Sequence, residues 1–282
     1  MNGSHPTEPR PSGSDPPLSE PASLPNGRGS AGCGVRVQVV DLRKSFDGNL
    51  VLKGLSFEVR RGEVFVIMGP SGSGKSVLLK HIIGLVVPDE GDILIESESI
   101  QNPKIRDHYR LAMVFQSGAL LSSLTVGENV GLYLAEHRLK SPGEIDRIVR
   151  QKLEFLGLKG LQDRNPSELS GGMKKRVAIA RALVIEPQLI LYDEPTSELD
   201  PVTAVLIGEE ILNLKKRIGV TSLVVTHDRD LAFGIADRIA MMHEGGFLAV
   251  GTAAEIRRHP APVIQQFLSA DFNPDHLTAQ RL

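Results

Sequence analysis

Val64-Phe65-Val66-Ile67-Met68-Gly69-Pro70-Ser71-Gly72-Ser73-Gly74-Lys75-Ser76 decides the architecture of this chain. Its first five residues are apolar without alternation, as in a strand covered on both faces. The next eight match the G-x-x-x-x-G-K-S phosphate-loop pattern in full, and a helical apolar spacing over 77–85 follows. Strand before and helix after is the setting that gives the pattern its meaning. In the loop formed by Gly69, Pro70, Ser71, Gly72, Ser73 and Gly74, the glycines let backbone N–H groups close around phosphates. Lys75 is placed to reach the β- and γ-phosphates of a nucleotide, and the Ser76 hydroxyl to ligate Mg2+.

Outward from this loop the pattern repeats. Leu189-Ile190-Leu191-Tyr192 and Ser222-Leu223-Val224-Val225 are also continuously apolar, and helical spacings over 176–184 and 203–217 alternate with them. Strands alternating with helices predict a parallel α/β sheet. Before it, Val35-Arg36-Val37-Gln38-Val39-Val40 alternates, and Asp47-Gly48-Asn49 separates Lys44-Ser45-Phe46 from Val51-Leu52. That reads as an antiparallel hairpin layer continued by Leu55-Ser56-Phe57-Glu58-Val59. Residues 117–170 carry helical spacing with no strong strand, an inserted helical subdomain. A late hairpin turns at Glu244-Gly245-Gly246, and a short helix covers 263–268. Residues 1–34 are crowded with Pro, Gly, Ser and Asn and read as a disordered tail. The foldable unit is 35–268, followed by a polar tail over 269–282.

Composition narrows the classes. The chain has 282 residues and a net charge of −2, with 41% hydrophobic side chains. It suits one large domain with a real core, and the near-neutral balance argues against a nucleic-acid surface. The single cysteine, Cys33, allows no internal disulfide and fits a reducing compartment. No apolar run approaches the roughly 20 residues of a membrane span, and the N-terminus lacks a secretion signal. The expected location is the cytosol, with any membrane contact made through a partner.

Carboxylates and amides at strand ends supply the chemistry. Asp193 ends an apolar strand, where it can hold Mg2+. Glu194, next to it, can polarise an attacking water, its alternative being a strand-end salt bridge. Gln116 follows the strand Leu111-Ala112-Met113-Val114-Phe115 and can sense metal and water, or be a surface glutamine. His227 ends another strand and could contact the γ-phosphate, although a lone histidine is more often structural. Phe46 could stack on adenine or pack in the core. Lys174-Lys175-Arg176 reads as a solvated helix face, with partial electrostatic help to a nearby phosphate. Leu169-Ser170-Gly171-Gly172-Met173 opens a helix and offers a second set of backbone N–H groups to an anion. One nucleotide does not need two such cradles from one chain, so two copies are expected to meet, each supplying half of a composite site.

These residues, in this order over about 35–268, resemble an ATP-binding-cassette (ABC) ATPase. The resemblance implies a P-loop NTPase fold with a RecA-like parallel core sheet, an N-terminal antiparallel β subdomain and an inserted α-helical subdomain. It also implies ATP with Mg2+. Phe46 falls at the A-loop aromatic, Gln116 at the Q-loop, Leu169 to Met173 at the signature motif, Asp200 in the D-loop Ser197-Glu198-Leu199-Asp200, and His227 at the switch histidine. By resemblance the catalytic residues are Glu194, His227, Gln116 and Lys75, the metal ligands Ser76, Gln116 and Asp193. Ser170, Gly171, Gly172 and Asp200 would join Phe46 and the phosphate loop in holding nucleotide, across a head-to-tail homodimer. Met173 stands where the family has Gln, and Glu198 where it has Ala; a thioether cannot replace an amide's hydrogen bonds. Leu-Ser-Gly-Gly-Met, Phe115-Gln116-Ser117-Gly118-Ala119-Leu120 and Pro262-Val263-Ile264-Gln265-Gln266-Phe267-Leu268 resemble the ATPase subunit of Mla-type (MCE-associated) phospholipid-transport systems. That implies an integral permease whose coupling helix meets the segment after Gln116, an MCE substrate-binding protein, a small STAS-domain protein in some systems, and residence at the cytoplasmic face of the inner membrane. The other readings are the ATPase of an amino-acid or small-solute importer, and a non-transport ABC ATPase; the latter usually carries two cassettes or a long coiled coil.

Overall fold

A computed structural model describes residues 34–269. The tail expected over 1–34 and the polar tail from 269 onward lie outside these residues except at Gly34 and Ser269, as does Cys33. Gly34 corrects its assignment to the tail. It is buried, donates to the Gly219 carbonyl at 2.9 Å, and leaves no room for a Cβ, which would stand 2.4 Å from Thr221 Oγ1.

The chain opens with β1 (Val37–Phe46) and β2 (Asn49–Val59), joined by Asp47 and Gly48 at positive φ. Both central turn residues are left-handed, the geometry whose twist matches the flanking strands. β3 (Val64–Met68) leads through the phosphate loop into α1 (Lys75–Ile82). Then come β4 (Glu90–Ile95), β5 (Glu98–Ser99), the single turn α2 (Ile105–His108) and β6 (Leu111–Val114). α3 (Val126–Glu136) and α4 (Pro142–Phe155) fill the expected helical insertion, each opened by a capping box. α5 (Gly171–Leu183), β7 (Leu189–Asp193), α6 (Pro201–Ile218), β8 (Thr221–Thr226), α7 (Arg229–Ile235), β9 (Arg238–His243), β10 (Gly246–Gly251), α8 (Ala253–Arg257) and α9 (Pro262–Leu268) complete the described residues.

Two sheets result: antiparallel β2-β1-β4-β5, and β10-β9-β3-β8-β7-β6, parallel except for β10. The unbroken apolar strands have a direct explanation. Val64, Val66 and Met68 of β3 face one hydrophobic core, built with α3 to α7. Phe65 and Ile67 face a second, shared with α1 and the antiparallel sheet. β7 divides the same way, Ile190 and Tyr192 to the first, Leu189 and Leu191 to the second. Both faces are dry, so alternation disappears.

β4 and β5 carry no clear sequence signal. Glu90-Gly91-Asp92 opens β4 with polar residues, and the strand earns its place only by pairing with β1, Ile95 opposite Val37 and Ile93 opposite Val39.

Buried Asn129 of α3 pins the loop between β6 and α3. Asn129 accepts from Leu121 N–H at 2.8 Å, and its two amide N–H donors are shared among the carbonyls of Leu121 (3.0 Å), Leu124 (3.1 Å) and Thr125 (2.9 Å). Asn129→Ala orphans the Leu121 N–H and the Leu124 carbonyl, while the carbonyls of Leu121 and Thr125 keep the backbone N–H groups of Leu124 and residue 129, and it is expected to destabilise the fold by about 2 kcal/mol. A urea midpoint unchanged from the parent would contradict this.

Candidate functional site

Strand order assembles the site. β3, β8, β7 and β6 lie side by side, with Met68 opposite Thr226, Asp193 opposite Val225 and Val114 opposite Tyr192. Their C-terminal ends therefore present the phosphate loop, His227, Asp193-Glu194 and Gln116 along one sheet edge. This is the edge where ligands bind in such sheets. Ser71, Gly72, Gly74, Lys75, Ser76, Gln116, Glu194 and His227 line one open cavity of about 320 Å3, with Val51 and Val77.

The loop is glycine-built for a reason. A Cβ on Gly69 would stand 2.1 Å from the Met242 carbonyl oxygen, and Gly74, with φ of +102°, sits where α1 begins. α1 carries no acidic residue in its first turn, so its unpaired N–H groups and positive dipole end face the loop unopposed. Lys75 is buried. Its ammonium donates to the carbonyls of Gly69 (2.8 Å) and Pro70 (2.9 Å) and lies 3.8 Å from the Glu194 carboxylate. Burial holds its pKa below the usual lysine value, against the pull of Glu194 and Asp193. Ser73 Oγ is buried with no hydrogen-bond partner inside the loop.

Ser76 donates to Asp193 Oδ1 at 2.8 Å. Burial pushes the Asp193 carboxyl above the usual aspartate range, although this hydrogen bond pulls it back. A hydroxyl and a desolvated carboxylate in contact are hard oxygen donors suited to Mg2+, which keeps much of its shell as water and phosphate oxygen. Among the described residues no group of three or more His, Cys, Asp or Glu side chains forms a metal cage. Two donors with room beside them fit that ion.

Glu194 turns the chain. Its φ is +47°, its N–H donates to the Val225 carbonyl at 2.9 Å, and its carboxylate accepts from the His227 backbone N–H at 3.2 Å. His227 Nδ1 is 2.9 Å from the same oxygen, Glu194 Oε2. A non-glycine residue in this conformation costs of order 1–3 kcal/mol and persists where the surroundings fix it.

The second cradle lies elsewhere. Ser170, Gly171, Gly172, Asp200 and Phe46 do not line this cavity. Ser170 caps α5, accepting from Met173 N–H at 3.3 Å, and is exposed with Gly171. Asp200 caps α6 through Thr203 N–H at 3.0 Å and the Thr203 hydroxyl at 2.5 Å. These bonds hold its carboxyl below the usual range. A Cβ on Gly172 would meet Thr203 Cγ2 at 2.2 Å, so α5 and α6 touch there and bring Ser170 and Asp200 to one surface. Phe46 corrects the core-packing alternative: it ends β1, is 42% exposed, and has Lys44 Nζ 5.5 Å from its ring centroid.

The basic run also needs correction. Lys175 is not on a solvated face. It is 6% exposed and donates to the Gln116 carbonyl, to Ser197 Oγ at 3.2 Å and to the Glu194 carbonyl at 3.4 Å. Burial lowers its pKa. The missed signal was helical: Gly172, Lys175, Ile179 and Ala182 share a buried stripe of α5. Met173 packs against the first core, which accounts for an apolar residue at that position.

Comparison with known proteins agrees with this geometry. The family description "ABC transporter" matches residues 52–197. The "Probable ribonucleotide transport ATP-binding protein mkl" of Mycobacterium leprae is 38% identical over 247 residues, 86% of this chain and 71% of that one. The chloroplastic protein trigalactosyldiacylglycerol 3 of Arabidopsis thaliana is 39% identical, over 85% and 75% of the two chains. The spermidine/putrescine import ATP-binding protein PotA of Thermotoga maritima is 40% identical, over 82% and 62%. A dimeric ATP-binding cassette solved in a post-hydrolysis state with ADP and Pi superposes with a TM-score of 0.70 at 33% identity, covering 77% of this chain and 98% of the other.

Asp193 gives a pH test. Well below the aspartate range its carboxyl is protonated in folded and unfolded chains alike. As pH rises through its raised folded value, the native state must carry a desolvated charge, and stability is lost. Asp193→Asn is therefore expected to raise Tm of the nucleotide-free protein at pH 7, with the gain shrinking toward zero by about pH 4. A lowered Tm at pH 7, or a gain independent of pH, would contradict the assignment.

Proposed function

The chain belongs to the ABC transporter family as an ATPase subunit, and on that premise we propose that it energises the movement of phospholipids between the membranes of a bacterial envelope. The observation that carries the catalytic half is the convergence of Lys75, Ser76, Asp193, Glu194, Gln116 and His227 on one sheet edge. In this reading the loop N–H groups and Lys75 bind the phosphates. Ser76, Asp193 and Gln116 would hold Mg2+, which when bound would neutralise charge on the phosphate oxygens. Glu194 accepts a proton from the attacking water, and its contact with His227 sets the direction of the carboxylate. Phe46, exposed at the end of β1, stacks on adenine.

Ser170, Gly171, Gly172 and Asp200 act in the site of a second copy. Their absence from the cavity of their own chain supports this, as does the dimeric cassette with ADP and Pi. ATP held only between two copies favours the closed dimer by mass action, and hydrolysis releases it.

The lipid assignment rests on the segments at 115–120, 169–173 and 262–268. It is supported by the Arabidopsis relative, whose name carries a lipid. Exposing an acyl chain to water costs about 0.8 kcal/mol per methylene, so the lipid requires a covered path. Among the described residues no helix is long and apolar enough to cross a membrane. The path would belong to an integral permease holding this chain at the cytoplasmic face, with an MCE protein and a STAS-domain protein as further partners. PotA favours a second reading, a small-solute importer. Phospholipid recovered with the purified assembly, and turnover stimulated by lipid and not by polyamine, is the result expected; the reverse pattern overturns the lipid reading.

Glu194→Gln is expected to retain ATP affinity, lower turnover by about 100-fold or more, and accumulate a nucleotide-bound dimer in size-exclusion chromatography. Ordinary steady-state turnover would remove Glu194 from the role of base. Mixing Lys75→Ala with Ser170→Arg subunits should recover turnover that neither variant shows, because each heterodimer regains one whole site. No recovery in an isolated heterodimer would refute shared sites.

A further inference from the structure

Lys175 is a buried cation that the scheme above leaves unused. An ammonium has three donors and no acceptor, and burying it without partners is expensive. Three oxygens surround this one: the Gln116 carbonyl, the Glu194 carbonyl and the Ser197 hydroxyl. Ser197 Oγ in turn donates to the Glu194 carbonyl at 2.9 Å. The carboxylates of Glu198, Glu194 and Asp193 further offset the burial. A buried cation is a poor route to stability when an apolar side chain could fill the same space. What it does provide is direction, because the three oxygens belong to three segments with different tasks.

One is the loop after β6 that carries Gln116. Another is the left-handed turn at Glu194, whose N–H is tied to Val225 while its carbonyl is tied to Lys175 and Ser197. With both peptide groups fixed, the Glu194 side chain leaves the backbone in one direction, toward His227. The third is the loop from Ser197 to Asp200, which ends as the cap of α6. Arg181, further along α5, donates to the carbonyls of Gly118 (2.7 Å) and Ala119 (2.6 Å), so the Gln116 loop is fastened to this helix at two points. The N-terminus of the same helix bears Ser170.

We propose that Lys175 is a positioning residue for hydrolysis: it fixes the Glu194 and Gln116 main chains against each other from the helix that a chain offers to its partner copy. The geometry of the water-activating carboxylate in one site then depends on where α5 stands, and α5 is placed by the nucleotide of the other site. This rests on the shared-site reading given above.

The test uses the full chain assembled with the membrane partners it co-purifies with. Lys175→Met keeps the stem and removes the donors. Expected is a kcat lower by about 10- to 100-fold. ATP affinity, read in a Glu194→Gln background where nothing turns over, stays within about 3-fold of the parent. Lys175→Gln, which keeps a donor, recovers part of the loss. Ser197→Ala lowers kcat by a smaller factor, and the double variant loses less than the product of the two single losses, because both act through the Glu194 carbonyl. If the methionine variant does not fold, Lys175→Gln and Ser197→Ala carry the same cycle. A structural role alone would lower Tm with equal effects from Gln and Met, and with kcat and affinity falling together; that pattern overturns the proposal, as do an unchanged kcat or multiplicative effects in the cycle. No recovered turnover in the isolated Lys75→Ala/Ser170→Arg heterodimer overturns the shared-site reading and this proposal with it. Hydrolysis that Lys175→Met leaves intact overturns this proposal alone.

Discussion

Everything in this fold that bears on chemistry is arranged around one buried contact between unlike charges, the Lys75 ammonium 3.8 Å from the Glu194 carboxylate with Asp193 beside it. These groups arrive from strands that are not neighbours, β3 and β7, with β8 between them. Neither charge would be tolerated at such burial alone. The pairing allows a cation and two carboxylates to remain at the sheet edge with space above them. It also leaves each group only partly satisfied: Lys75 spends donors on two carbonyls of its own loop, and Asp193 is restrained by a single hydroxyl. In the proposed reading a site poised this way would gain from polyphosphate and a divalent ion entering together, the anion facing the Lys75 ammonium and the cation facing the Asp193 carboxylate.

The two hydrophobic cores are what hold that edge in register. β3 and β7 put alternate residues into opposite cores, so a slip of one residue would exchange every side chain between them. The parallel pairing of Met68 with Thr226 and of Asp193 with Val225 is fixed as a consequence. The strain in the turns beyond the strand ends, at Glu194 and Glu198 with positive φ, is borne by this rigid layer.

In the proposed scheme α5 links the two halves of the chemistry. Its capped N-terminus displays Ser170, its flank meets α6 at Gly172 and Thr203, and its buried stripe sends Lys175 to the backs of Gln116 and Glu194. A helix held at its start, middle and end would, in the proposed scheme, carry a displacement from one end to the other.

The residues themselves determined a good deal. Thirteen consecutive positions from Val64 to Ser76 specify a strand, a phosphate-binding turn and a helix start, because each depends on neighbours in sequence: apolar continuity, glycine freedom, an unopposed helix N-terminus. Continuous apolar runs likewise identified β7 and β8 as doubly covered strands. Other features had no local cause to read. β4 exists because β1 lies beside it; Gly34 is buried because Thr221 and Gly219 enclose it. Lys175 looks like surface charge until α5 packs between the Gln116 loop and the Glu194 turn, and Phe46 fits a core equally well until its hairpin leaves it outside. Periodicity fixes which face of an element is apolar, but which neighbour meets that face is settled only by strand order and helix packing between residues distant in the chain.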